Sequence, residues 1–161
     1  MRGPAEAKIL VTGATDGLGR RVALELAGRG AAVLLHGRNE ERLQSTREDI
    51  GSETGNEKLG SYLADFSSLV AVRGLAARII SEQDRLDVLV NNAGVIVPER
   101  EESEDGFELT FAVNYLAHFL LTSLLLPLLR APRRPGSSTS LRPARAPWTS
   151  MTSCWSGDTT A

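Results

Sequence analysis

A glycine-rich turn, TGATDGLG at residues 12–19, constrains the fold of this chain more than any other segment. It directly follows the apolar run of residues 9–11, which is typical of a strand covered on both faces in a parallel sheet. Gly13 permits a tight turn off the strand, Gly17 lets the backbone approach a ligand, and Gly19 lets a helix pack closely on the sheet. The segment therefore predicts a strand, a turn and a helix whose N-terminus can bind phosphate.

Strand-like and helix-like segments go on alternating along the chain. Leu18, Val22 and Leu26, flanked by Ala23 and Ala27, predict the apolar face of the first helix, which ends at Gly28 and Gly30. The further predicted elements are strands at 32–35, 59–63 and 87–90, a helix over 39–50 capped by Asn39, and a helix capped by Ser67 or Ser68 with Leu69, Val72, Ala76, Ile79 and Ile80 on one face. This order predicts an α/β fold with a Rossmann-type, doubly wound parallel sheet, truncated after the fourth strand and a long helix.

The long helix is expected in the strongly apolar segment 107–129, whose length raises the alternative of a membrane span. Five residues interrupt the apolar run: Asn114, His118, Thr122, Ser123 and Pro127. Polar groups at these intervals would be unfavourable in lipid, so no membrane span is predicted. A buried helix that also offers one face to a partner subunit fits the pattern better, and a homodimer through this helix is possible.

Charge is divided unevenly, with 13 Lys and Arg against 19 Asp and Glu in residues 1–129 but 5 against 1 in residues 130–161. A basic tail can bind nucleic acid, but this one has no interleaved aromatic residues, helical stripe or dense basic run, so no nucleic-acid partner is expected. Cys154 is the single cysteine and has no neighbours at metal-ligand spacing, so no disulfide or metal site is expected. No apolar run of signal-peptide length precedes Lys8, which predicts a cytoplasmic protein.

Four motifs together resemble the short-chain dehydrogenase/reductase family, most closely its retinol-dehydrogenase-like branch. They are TGATDGLG at 12–19, LADFSS at 63–68, LDVLVNNAG at 86–94 and FAVNYLAHFLLT at 111–122. Four motifs in order are far more specific than one. The resemblance implies an NAD(P)-binding domain over residues 1–130 and an oxidoreductase that transfers hydride between nicotinamide and a small-molecule alcohol or carbonyl substrate.

The resemblance also implies which residues bind the dinucleotide. Asp65 would accept a hydrogen bond from the adenine amino group, although the same residue is also typical of a turn before a helix. Asn91, Ala93 and Gly94 would place backbone against the ribose and nicotinamide, although Asn-Asn and Gly are turn signals as well. The full set of expected cofactor-binding residues is Gly13, Thr15, Gly17, Leu18, Gly19, Arg38, Asp65, Phe66, Asn91, Ala93 and Gly94.

The choice between NAD and NADP depends on the end of the second strand. An acidic residue there would bind the 2′-hydroxyl of NAD, whereas an arginine would pair with the 2′-phosphate of NADP. The sequence has Arg38 and no acid at this point, so NADP is favoured over NAD. Asp16 in the glycine-rich turn counts against NADP, and a solvated Arg38 with loose specificity is the alternative.

Asn114 is the one catalytic residue that the resemblance assigns, because the family uses an asparagine here to hold a proton-relay water and the catalytic lysine. The family's serine and its Tyr-x-x-x-Lys pair are missing. The tyrosines are Tyr62 and Tyr115 and the lysines are Lys8 and Lys58, so this chain contains no Tyr-x-x-x-Lys. We therefore expect little or no turnover from these 161 residues. The alternatives are a non-catalytic dinucleotide-binding or interaction module and a product that never folds stably.

Residues 131–161 depart from the family pattern, which calls for a strand ending at the catalytic serine. A shifted reading frame can encode Arg-Ile-Val-Asn-Val from residues 135–140, and a segment that resembles the one after the serine from residues 147–158. We therefore expect a frameshift near residues 130–135, followed by a disordered, out-of-frame tail. A genuine disordered tail is the alternative, because the Pro, Ser, Thr and Arg content also permits it.

Overall fold

The computed structural model describes residues 4–130, and the predicted tail together with Cys154 lies outside them. A short 3₁₀ turn, Pro4–Glu6, precedes the first strand. The strands are β1 (Lys8–Val11), β2 (Ala32–Gly37), β3 (Leu59–Leu63) and β4 (Val88–Val90). The helices are α1 (Gly17–Gly28), α2 (Glu40–Thr54), α3 (Leu69–Glu82) and α4 (Leu109–Leu129), the last with a π-helical segment at Ala112–Leu116.

The four strands form one parallel sheet in the order β3-β2-β1-β4. One face packs on α3 and α4 through a cluster that includes Leu10, Leu34, Val72, Ile79 and Leu121. The other face packs on α1 and α2 through a cluster that includes Val11, Val33, Ala23, Leu43 and Ile50. Helices on both faces and parallel strands confirm the doubly wound α/β fold.

The caps and turns explain where the helices begin and end. The Asn39 side chain accepts a hydrogen bond from Arg42 N at 2.9 Å, which confirms the predicted cap of α2. Ser68 caps α3, its side chain accepting from Ala71 N at 3.4 Å. α2 runs four residues beyond its predicted end and stops at Gly55, whose φ of 65° suits a glycine C-terminal cap.

The prediction of the buried face of α1 was wrong for Leu18. Leu18 is 73% exposed, whereas Gly19, Ala23 and Ala27 are buried. Small side chains allow the helix axis to approach the sheet closely. Val22 and Leu26 are half-buried and pack against the edge of the core, so only Leu18 of the predicted stripe faces away from it. In α3 the predicted face is largely confirmed, because Val72, Ala76 and Ile79 are buried. Ile80, also predicted on that face, is 45% exposed, and Leu75, which was not predicted, is buried.

α4 buries Ala117, Leu121, Leu125 and Leu128, which pack mainly on α3. Its other side exposes aromatic and aliphatic side chains: Phe111, Tyr115, Phe119 and Leu126. By length and a mean hydropathy of 1.7, α4 is one helix that could cross a membrane, but a core helix of a soluble protein meets the same test. The expectation of no membrane span stays a prediction.

Candidate dinucleotide-binding site

The carboxyl ends of all four strands meet at one edge of the sheet, which is where ligands bind in open α/β folds. Gly13 to Gly19 follow β1, Arg38 follows β2, Asp65 and Phe66 follow β3, and Asn91 to Gly94 follow β4. The structure therefore brings every predicted cofactor-binding segment to the same edge. Each segment arrives on a different strand end, so no two of them are neighbours in sequence.

The three glycines of the turn have different surroundings. A Cβ on Gly13 would lie 2.7 Å from the Cα of Ala93, and one on Gly19 would overlap the Gly13 carbonyl and the Asn92 side chain. A Cβ on Gly17 would meet no atom within 4 Å, and Gly17 has a φ of +52°. Gly13 and Gly19 thus let backbone segments touch, whereas Gly17 leaves an open corner at the N-terminus of α1.

This open corner has the features of an anion-binding site. It lies beside the first-turn N–H groups of α1, whose partners must come from outside the helix, and the helix dipole is positive there. The Asp16 side chain caps the helix by accepting from Gly17 N at 2.7 Å. Leu18, 73% exposed, is the next residue, and Thr15 lies on the side of the turn that touches β2.

Thr12 ties the ends of β1 and β4 together, a role that the sequence reasoning missed. Its fully buried hydroxyl accepts from Asn92 N at 2.8 Å and from Ala93 N at 3.0 Å, and donates to the Val90 carbonyl at 3.2 Å. The Asn92 side chain in turn donates to the carbonyls of Thr12 and Gly13 at 2.9 and 3.1 Å. The sequence signal for this role was a threonine directly after a buried strand.

On the adenine side, Asp65 is exposed and its Oδ1 accepts from Ser67 N at 2.9 Å, so the turn role is present in the structure. Phe66 turns inward and is 4% exposed. Its ring stacks on His36 at 4.4 Å between centroids and meets His118 edge-on at 5.4 Å. The Phe66 side chain therefore supports the site from the core rather than lining it.

The end of β2 carries the groups that would meet a 2′-phosphate. Gly37 is so close to Thr15 that a Cβ on it would lie 2.6 Å from Thr15 Cγ2, and this contact joins the β2 end to the glycine-rich turn. Arg38 follows and is exposed. Arg42, one turn into α2, pairs with Asp16 at 3.1 Å between Nη2 and Oδ2.

The segment after β4 is held by α4. Asn114 Oδ1 accepts from Val95 N at 2.8 Å and its Nδ2 donates to the Val95 carbonyl at 2.9 Å. His118, predicted only as a polar interruption, donates from Nε2 to the Ala93 carbonyl at 2.7 Å. The Asn91 side chain contacts both His118 Nδ1, at 3.1 Å, and Thr122 Oγ1, at 3.2 Å. Asn114 lies in the π-helical segment, a local geometry that is frequent at functional sites.

The tyrosines and lysines lie elsewhere. Tyr62 is buried and its hydroxyl donates to Glu82 at 2.9 Å, and burial raises the pKa of this phenol. Tyr115 stacks on Phe111 on the exposed side of α4, and Lys8 pairs with Asp84 at 2.8 Å near the start of β1. Within residues 4–130 no three His, Cys, Asp or Glu side chains are grouped to hold a metal ion.

Comparisons with known proteins agree with this geometry. The family model described as short chain dehydrogenase matches residues 7–137. Retinol dehydrogenase 13 of Homo sapiens is 46% identical over 123 residues, which are 76% of this chain and 37% of that protein. The chain thus spans little more than a third of this curated relative.

Two solved structures extend the comparison. A short chain dehydrogenase from Shigella flexneri 2a, solved in complex with NADP, has a TM-score of 0.65 at 39% identity over 77% of this chain and 54% of that chain. One from Escherichia coli CFT073, solved with NADPH, has a TM-score of 0.65 at 40% identity over 77% of this chain and 53% of that chain. This chain therefore belongs to the short-chain dehydrogenase/reductase family, close to its retinol-dehydrogenase-like branch.

Proposed function

We propose that residues 4–130 form the NADP(H)-binding half of an oxidoreductase that acts on alcohol or carbonyl substrates. The observation that carries the proposal is the open corner at Gly17, where the N-terminus of α1 faces the carboxyl edge of the sheet and an added Cβ would have no atom within 4 Å. Gly13 and Gly19 hold the surrounding backbone in close contact with the β4 end. A phosphate that approaches Gly17 meets no side chain there and has the positive end of a helix beside it.

Each strand end contributes one part of the proposed site. The first turn of α1 binds the pyrophosphate, Asp65 the adenine amino group, and the segment 91–94 the ribose and nicotinamide. Arg38 binds the 2′-phosphate, which is why NADP is proposed over NAD. Support for this choice comes from the arginine directly after β2 and from the related structures solved with NADP and NADPH.

The dinucleotide, when bound, supplies or accepts a hydride at its nicotinamide ring. This chain's own residues orient it: Thr12 and His118 hold the Asn91–Gly94 backbone from two sides, and Asn114 holds Val95. The groups that would exchange the substrate's proton are not among these 161 residues, which contain no Tyr-x-x-x-Lys. Because such acid–base groups contribute roughly 10²–10⁴-fold, we propose that these residues bind the cofactor without efficient turnover.

A binding or interaction module is the second candidate function, and the exposed side of α4 favours it. Phe111, Tyr115 and Phe119 are 47%, 59% and 65% exposed, and such aromatic side chains are enriched at protein interfaces. The partner in this proposal is a second copy of the same chain, which gives a homodimer through this side of the helix. Light scattering of the folded chain, with Phe119→Ser as the variant, tests it.

We further propose that residues after about 130 are read from a shifted frame. The test is the nucleotide sequence across codons 125–165, translated in all three frames. A second frame that continues into a serine strand and a Tyr-x-x-x-Lys would support the proposal and locate the missing catalytic groups. Three frames without that pattern would eliminate it.

The cofactor proposal is tested by titrating the 161-residue chain with NADPH and NADH and following nicotinamide fluorescence. Gly17→Ala is the informative variant, because its methyl group enters the open corner, whereas Gly74→Ala adds a methyl group in open space on α3 and is the matched control. We expect binding by the wild type and by the control, and loss of binding by a folded Gly17→Ala. A folded wild-type chain that binds neither nucleotide would refute the proposal, as would Gly17→Ala with unchanged affinity.

A further inference from the structure

Arg42 and Asp16 form an ion pair across the entrance to the cofactor edge. Arg42 Nη2 lies 3.1 Å from Asp16 Oδ2, and the two side chains are 62% and 78% exposed. Arg42 belongs to the first turn of α2, which Asn39 caps, and Asp16 is the cap of α1. The pair therefore connects the N-termini of two helices that flank the glycine-rich turn.

The pair is near Arg38, the residue proposed for the 2′-phosphate. Gly37, which precedes Arg38, is in contact with Thr15, which precedes Asp16. Ala14 N also donates to the His36 carbonyl at 2.8 Å, so the turn and the β2 end run side by side. A phosphate bound at Arg38 would thus approach the turn that carries Asp16.

We propose that Arg42 is a second 2′-phosphate-binding side chain and that Asp16 competes with the phosphate for it, so that this pair sets how strongly the site prefers NADP over NAD. The inference rests on the proposed cofactor site. An exposed ion pair contributes little to stability, so replacing its carboxylate with another anion costs little free energy. A phosphate monoester carries roughly −1.5 to −2 charge and suits the guanidinium fork better than one carboxylate oxygen does.

Among the neighbouring basic side chains, Arg42 is the one that pairs with Asp16. Arg20, which lines one groove together with Arg42 and Thr15, lies 3.1 Å from Asp49 and 3.9 Å from Glu53. Its charge is therefore already balanced by two carboxylates. Glu40 and Glu41 lie in the first turn of α2 and are exposed. Their negative charge opposes the attraction of this helix end for a phosphate.

Two variants test the pair in opposite directions. Asp16→Asn keeps Oδ1 for the cap on Gly17 N but replaces Oδ2, which accepts from Arg42, with an NH2 group that cannot accept, and it removes the negative charge. Arg42→Ala removes the cation. Glu25→Gln and Arg21→Ala are matched controls, because they break another exposed pair of 3.0 Å on the same helix, α1. The probes are adenosine 2′,5′-bisphosphate and adenosine 5′-monophosphate, titrated calorimetrically into the full 161-residue chain.

We expect Asp16→Asn to bind the bisphosphate about five times more tightly, and Arg42→Ala about ten times more weakly, with the monophosphate changed less than about twofold. In the double variant most of the gain from Asp16→Asn should disappear. A gain in affinity cannot arise from misfolding, so Asp16→Asn keeps the test decisive if Arg42→Ala folds poorly.

The outcomes separate this inference from the proposed function. If a folded wild-type chain binds neither probe, both fail. If the wild type prefers the bisphosphate and Arg38→Ala removes that preference, while Asp16→Asn and Arg42→Ala match their controls, the cofactor proposal stands and this inference is overturned. A full gain from Asp16→Asn that persists without Arg42 also overturns it.

Discussion

His36 accepts a hydrogen bond through Nδ1 from the backbone N–H of Gly13, at 3.3 Å. Its other ring nitrogen, Nε2, therefore carries the proton and donates to the Ala64 carbonyl at 3.2 Å. The ring thus joins the glycine-rich turn to the residue before Asp65. Burial lowers the pKa of His36 to about 4 from 6.5, partly opposed by the bond to Ala64, and the charge of His118 lowers it further while that of Asp65 raises it.

This pKa shift predicts an acid-sensitive fold. Because the unfolded chain binds more protons on His36 between pH 6.5 and about 4, stability is fully present above pH 6.5 and falls as the pH is lowered through that window. The shift corresponds to about 3 kcal/mol at most. Urea unfolding midpoints measured from pH 7.5 to 4.5 provide the check.

His36→Leu is the matching variant. It leaves Gly13 N without its partner, so we expect a loss of about 1–3 kcal/mol at pH 7. It also removes the proton-binding group, so its stability should fall less steeply between pH 6.5 and 4.5 than that of the wild type. Carboxylates contribute equally to both chains, and two parallel curves would contradict the assignment.

Thr12 gives a prediction about the central strands. Thr12→Val keeps the shape of the side chain but leaves the N–H groups of Asn92 and Ala93 without an acceptor. Burying unpaired donors is unfavourable, so we expect a loss of about 2–3 kcal/mol in the free energy of unfolding. Thr12→Ser retains the hydroxyl and should lose less than half as much. Equal losses in the two variants would mean that packing, not hydrogen bonding, is the role of Thr12.

Periodicity and turn chemistry were enough to predict the order of the elements. Asn39 and the glycine-rich turn illustrate why: a cap and a positive-φ glycine act on their own neighbours, so a local sequence reveals them. Leu18 shows the limit. Its exposure depends on how closely α1 approaches the sheet, which is decided by Gly19 and a distant strand end.

The contacts that organise the site were less predictable for the same reason. The bonds from Thr12 to Asn92 and from His118 to Ala93 join residues 80 and 25 positions apart. Nothing in one segment specifies its partner in another, so His118 could only be described as a polar residue in an apolar helix. The role of His36 could not be predicted for the same reason, because its two backbone partners, Gly13 and Ala64, lie in other segments.

The glycines of the turn should respond differently to the same substitution. Gly19→Ala forces a methyl group into the Gly13 carbonyl and the Asn92 side chain, and we expect a loss of at least about 2 kcal/mol. Gly17→Ala meets no atom and bears only the strain of a φ of +52°, about 1 kcal/mol. Thermal unfolding of the two variants beside the wild type measures the difference. A Gly17→Ala chain less stable than Gly19→Ala would show that the close contact at Gly19 is relieved by a small shift.

Asn114 should act on one loop rather than on the whole fold. Asn114→Ala removes both hydrogen bonds to Val95, so the Val95 amide should exchange with solvent about tenfold faster. Amides inside the sheet, such as that of Leu10, should keep their protection. Hydrogen exchange measured residue by residue by NMR distinguishes a local effect at Val95 from a loss of protection throughout the sheet.

Asn114→Asp tests the same hydrogen bonds to Val95 by introducing a negative charge. Its carboxylate still accepts from Val95 N but faces the Val95 carbonyl without a proton to donate, so protection of Val95 at pH 7 should stay below that of the wild type. Protonation restores a donor, so the deficit relative to the wild type at the same pH should shrink as the pH falls toward 4. A deficit that is constant with pH would place the Asn114 amide away from the Val95 carbonyl and would leave only the bond to Val95 N.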